Sequence, residues 1–111
     1  MISSAVLRII LTEAAYYILL ALIRPNHGYG IMQEAERLSE GRVRLAAGTL
    51  YGALNNMVEK KWIRQLQDEP GSRKKQYVIT QEGRGVLEEE LARLQAMVSE
   101  GLSILQESED D

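Results

Sequence analysis

The sequence predicts a mainly α domain with one small β-hairpin: a helix-turn-helix, then the hairpin, then a long C-terminal helix that pairs with a second copy. Three observations predict it. Leu50, Ala53, Leu54, Met57 and Val58 follow the i, i+3, i+4, i+7, i+8 pattern of one helix face. Two β-prone runs, Trp62-Ile63-Arg64-Gln65-Leu66 and Lys75-Gln76-Tyr77-Val78-Ile79, flank a polar stretch with the turn signal Pro70-Gly71. Beyond Thr80, the residues Leu87, Leu91, Leu94, Val98 and Leu105 recur at spacings of 4, 3, 4 and 7, close to a heptad stripe.

Two short helices followed by a hairpin make the winged helix-turn-helix order. The expected organisation is a winged-helix domain with an N-terminal helix over residues 1–80, a dimerisation helix over 81–106 and an acidic tail over 107–111. A chain of 111 residues is one domain, and it should bury roughly 60 to 70% of its unfolded surface. With 45% apolar residues it reads as globular, and the absence of cysteine excludes a disulfide framework or a cysteine-based zinc site. A cytoplasmic setting is expected.

The formal net charge of −3 hides two unlike parts. Residues 1–85 hold 12 Lys and Arg against 8 Asp and Glu, a net of +4, whereas residues 86–111 hold 1 against 8, a net of −7. Local potential at a contact surface, rather than the whole-chain charge, steers a charged partner.

Taken in order, residues 5–23 are the most apolar region, but Arg8 and Glu13 interrupt them, so a buried helix is expected rather than a membrane span or signal peptide. Thr12 is a candidate cap for its main part, and Ser3 or Ser4 for an earlier helix through Leu11. Pro25 disfavours helical geometry at Arg24, so residues 24–28 stop it. A second helix is expected from Gly28–Gly30 to about Ser39, burying Ile31, Met32, Ala35 and Leu38. Val43-Arg44-Leu45 is a short β-prone piece, and the third helix starts between Ala46 and Thr49.

The outer arc of that third helix holds Thr49, Tyr51, Gly52, Asn55, Asn56 and Glu59, which are hydroxyls, amides and a glycine instead of the Lys/Glu mixture of a solvated face. Asparagine can pair with base edges, and tyrosine and threonine can donate to phosphates. A plain surface helix of poor propensity is the competing reading. The returning hairpin strand opens with Arg73-Lys74-Lys75, where long cationic side chains can reach phosphates without entering a core. Such a charge run is usually a solvated surface, but here it follows a helix-turn-helix directly.

Thr80 is read as the cap of the last helix. Leu87, Leu91, Leu94, Val98, Leu102 and Leu105 give that helix more apolar length than so small a domain can cover, and a second copy is the simplest partner. Packing back on residues 5–23 within one chain is the alternative. Glu88-Glu89-Glu90 reads as a solvated helix face. Trp62 reads as a core residue closing the hairpin, and His27 as a helix-entrance residue making a local hydrogen bond.

Several of these pieces, His27-Gly28-Tyr29-Gly30-Ile31, Gly48-Thr49-Leu50-Tyr51 with Leu54, Trp62-Ile63, Arg73-Lys74-Lys75 leading to Tyr77, and Thr80-Gln81-Glu82-Gly83, resemble the PadR-like winged-helix transcriptional regulators. Leu11-Thr12-Glu13-Ala14 and Tyr16-Tyr17-Ile18-Leu19 are similar to members of that family too, so the resemblance spans residues 11–105. It implies a homodimer that binds operator DNA and represses transcription, in many members with relief by a small-molecule effector. Its single C-terminal helix looks like the short subtype. Ala46-Ala47 stands where many relatives have serine or proline. No aromatic residue lies between Val78 and Asp111, so the tryptophan drug site of multidrug-binding members is not carried over.

The expected mechanism places Thr49 and Tyr51 on phosphates and Asn55 and Asn56 on base edges of the major groove, with Arg73, Lys74 and Lys75 on neighbouring phosphates. Two copies would read a palindrome with half-sites roughly 34 to 36 Å apart. Tyr16, Tyr17, Leu91 and Leu94 are effector candidates for a small apolar or aromatic molecule in a cleft between the first and last helices, with plain core packing as the alternative. No cofactor is expected, nor any metal from a lone histidine, nor enzymatic activity. The competing function is a winged-helix protein-interaction module without DNA binding.

Overall fold

The computed structural model describes residues 10–67 and 74–110. The first helix, α1 (Glu13–Ala21), starts at Thr12, whose hydroxyl accepts the Ala15 amide at 3.1 Å. Ile18, Leu19, Ala21 and the following Leu22 are buried in the core. Chain direction then reverses through Asn26–His27, a two-residue strand (β1) that enters α2 (Gly28–Leu38). His27 caps α2 through Nδ1, which accepts the Gly30 amide in a long contact of 3.4 Å. This is the local hydrogen bond expected of it.

Helix α2 buries Ile31 and Ala35, but Leu38 is left exposed, against expectation. Ser39 takes the buried place instead, its hydroxyl accepting the Val43 amide at 2.9 Å. A small polar group satisfied in this way fits where the chain turns, and a leucine one residue earlier faces water. The Val43-Arg44-Leu45 piece is not a strand; it leads unpaired into α3 (Ala47–Glu59), with only Val43 fully covered. Ala46 precedes α3 without a side-chain cap. Leu50, Leu54 and Met57 are buried, whereas Val58, expected on the same face, is exposed because it stands on the rim of their arc.

The hairpin strands β2 (Ile63–Gln65) and β3 (Gln76–Ile79) pair antiparallel, Ile63 opposite Ile79 and Gln65 opposite Tyr77. β1 adds to the other edge of β3, giving a three-stranded sheet in the order β1-β3-β2. A two-residue strand is too short to show alternation, so sequence pattern does not reveal it. The expected Pro70-Gly71 turn and the Ser3 or Ser4 cap lie outside the described residues. The Ile79 amide donates to the Leu22 carbonyl at 2.8 Å and anchors the sheet on the end of α1.

Helix α4 runs Gln81–Asp110, past residue 106, so the acidic residues 107–110, expected as a separate tail, continue the helix. Thr80 caps it as expected, accepting the Gly83 amide at 3.0 Å while its hydroxyl donates to the Trp62 carbonyl at 2.9 Å. Gly83 is needed there, because a Cβ would run into that same carbonyl. No helix among the described residues is long and apolar enough to cross a membrane.

Candidate nucleic-acid interface

Burial of Leu50, Leu54 and Met57 turns the other side of α3 outward, and Thr49, Tyr51, Asn55 and Asn56 are all exposed. Tyr51 leans toward the start of α2, its ring tip against Gly28. Lys74 and Lys75, at the base of the wing, join Tyr51, His27, Gly28 and Tyr29 in lining one open cavity of about 530 Å³. Pairing of β1 with β3, His27 opposite Gln76, is what brings the start of α2 beside the wing lysines. Thus Tyr51 of α3 and the two wing lysines, separate in sequence, line one concavity, whereas Thr49, Asn55 and Asn56 are outside its lining. Arg73 lies outside the described residues.

Sequence pattern missed Tyr29. It is 63% exposed on the rim of that cavity, between two glycines. A large aromatic outside a helix's apolar stripe was the available signal. The surface combines ammonium groups, phenols and amides, a chemistry suited to phosphate oxygens and base edges. Among the described residues no His/Asp/Glu group could hold a metal ion.

The effector candidates are split by the structure. Tyr16, Tyr17 and Leu94 line a cavity of about 300 Å³ together with Arg42, Glu90 and Arg93. Leu91 instead joins Leu94, Val98 and Leu102 along an open apolar groove on α4. The two tyrosine rings meet edge to face at 5.1 Å. Burial holds the Tyr16 phenol above its ordinary pKa, helped by Tyr17 and the Glu90 charge. Arg42 donates to Glu13 at 2.9 Å and to the Tyr17 hydroxyl at 3.1 Å, tying α1 to the segment that precedes α3.

Two readings of α4 are corrected. Glu90 is not solvated: it is buried, accepting the Leu11 amide at 3.1 Å and Arg93 Nε at 2.6 Å. Its charge is tolerated because a guanidinium and a backbone donor meet it. Leu87 is buried in this chain's own core and does not belong to a dimer surface. Leu91, Leu94, Val98, Leu102 and Leu105 are exposed. Trp62 is a core residue as expected, with the Lys60 ammonium 4.7 Å above its ring centroid.

Residues 18–89 match the model of the transcriptional regulator PadR-like family. The chain belongs to this family. The PadR-like chain is also 38% identical over 79 residues to an uncharacterized 37.1 kDa protein in transposon TN4556 of Streptomyces fradiae. That match covers 68% of this chain and 22% of the relative, so the chain spans about a fifth of its length. A transcriptional regulator from Clostridium thermocellum, Cth-833, has a similar structure, with a TM-score of 0.70 and 24% identity over 89% of this chain and 93% of that one. Bacillus subtilis PadR, solved in complex with operator DNA, is similar in fold at a TM-score of 0.57 and 22% identity, covering 68% of this chain and 45% of its own.

Proposed function

We propose that this PadR-like chain is a sequence-specific, homodimeric DNA-binding transcriptional regulator that represses its target. The observation that carries the reading is the shared concavity in which Tyr51 of α3 meets Lys74 and Lys75 of the wing. Thr49 and Tyr51 contact phosphates, Asn55 and Asn56 read base edges, and the lysines hold neighbouring phosphates. The operator-bound state of the Bacillus subtilis protein of like fold supports this assignment. The exposed stripe from Leu91 to Leu105 supports a two-fold pair built on α4.

Selecting duplexes from a random pool with the purified protein tests the reading. A palindrome with half-sites roughly 34 to 36 Å apart is expected. A pool that shows no enrichment at physiological salt overturns it in favour of a protein-interaction module. Repression is read from the transcript beside the selected site, which rises when the protein is removed.

A second element concerns the cavity at Tyr16, Tyr17 and Leu94, which suits a small aromatic or apolar effector. Arg42 borders it and stands in the segment before α3, so an occupant can shift that helix. Release of bound DNA by such a compound, abolished in Tyr16→Ala, is the readout.

A further inference from the structure

Gly28 is the first residue of α2 and is buried. Its backbone lies outside the left-handed region, so its own conformation does not demand glycine. Its surroundings do. A Cβ built there would run into the hydroxyl oxygen of Tyr51 and stand 3.0 Å from Cζ and 3.6 Å from Cε1 of the same ring. All three nearest atoms belong to Tyr51, and none is backbone. At Gly83 the obstacle is the immovable Trp62 carbonyl. At Gly28 it is the tip of a 45% exposed side chain that can swing away. The Tyr51 hydroxyl makes no hydrogen bond among the described residues, and its ring borders the cavity shared with Lys74 and Lys75.

We propose that Gly28 is a positioning residue for Tyr51: its missing side chain leaves a notch on α2 that seats the tyrosine tip and aims the hydroxyl at a DNA phosphate. This inference rests on the reading of the α3 and wing surface as the DNA face. An unseated tyrosine would have to be immobilised when DNA arrives, and seating it beforehand removes that ordering cost from binding. The fold gains nothing comparable from the glycine, since alanine is the better helix former.

The test uses Gly28→Ala, Tyr51→Ala and the double variant. Binding to a duplex selected by the unaltered protein is measured over a salt series, and thermal unfolding alongside. Each single variant is expected to weaken binding about tenfold, the scale of one hydrogen bond to a charged acceptor. The double variant should bind no more weakly than Tyr51→Ala, because the notch has nothing left to seat. The salt slope should be unchanged, since Lys74 and Lys75 still meet their phosphates. Gly28→Ala should melt within about 3 °C of the unaltered protein.

Losses that multiply in the double variant overturn the proposal, as does a Gly28→Ala protein that unfolds far earlier. So does normal binding by Gly28→Ala where Tyr51→Ala is weakened. Normal binding by Tyr51→Ala overturns it together with the placement of Tyr51 on the DNA face, which tells the two failures apart.

Discussion

Helices α3 and α4 each present an exposed face among the described residues, and the two faces are chemically opposite. On α3 the uncovered residues are Thr49, Tyr51, Asn55 and Asn56, which lose nothing in water and gain directional partners on a polar surface. On α4 they are Leu91, Leu94, Val98, Leu102 and Leu105, whose exposure is unfavourable until another apolar surface meets them. Charge divides the same way, +4 over residues 1–85 and −7 over 86–111. A polyanion is drawn to the first region and repelled by the second.

The sharpest way to break this comparison lies within α3, where neighbouring residues face opposite ways. Leu54→Ala should lower stability by about 2 to 5 kcal/mol in urea unfolding, whereas Asn55→Ala should stay within about 0.5 kcal/mol. Equal losses at both positions would mean that the amide face is structural. On α4, Val98→Glu with Leu102→Glu should weaken self-association by about a hundredfold, the scale of two charges forced into an apolar seam, with helicity retained. Light scattering over a dilution series reads this, and an unchanged mass would place the partner surface elsewhere. The gentlest change is at the wing. Lys74→Ala with Lys75→Ala should reduce the logarithmic salt slope of DNA binding by about 1.8, at about 0.9 per phosphate neutralised by a lysine. An unaltered slope would remove these lysines from the contact.

Most of the fold was legible because it is periodic. The 3.6-residue repeat of Leu50, Leu54 and Met57 and the Thr12 and Thr80 caps are local signals, and each stands where the sequence predicts it. Legibility failed where a residue's fate depends on something distant. Leu38 and Val58 share their helices' apolar period but are exposed, while their neighbours Ser39 and Met57 are buried. Glu90 sits in a run of three glutamates indistinguishable by pattern, and it is buried because the Leu11 amide and Arg93 happen to meet it. Leu87 continues the leucine stripe, yet it is buried in the core cluster with residues of α1 and the sheet.

The candidate site divides along the same line. That Thr49, Tyr51, Asn55 and Asn56 share an outward arc follows from helical geometry and the burial of Leu50 and Leu54. Chain order likewise announced helix, helix and hairpin, and the motifs from His27-Gly28-Tyr29-Gly30 to Thr80-Gln81-Glu82-Gly83 carried the family resemblance. The tertiary structure alone decided that Lys74 and Lys75 stand beside Tyr51 and Tyr29, because a two-residue strand at Asn26–His27 pairs with β3 across some fifty residues of chain. Periodicity speaks only for the neighbours a residue has along its own helix or strand, and pairing across that distance is set by which surfaces the core leaves free to meet.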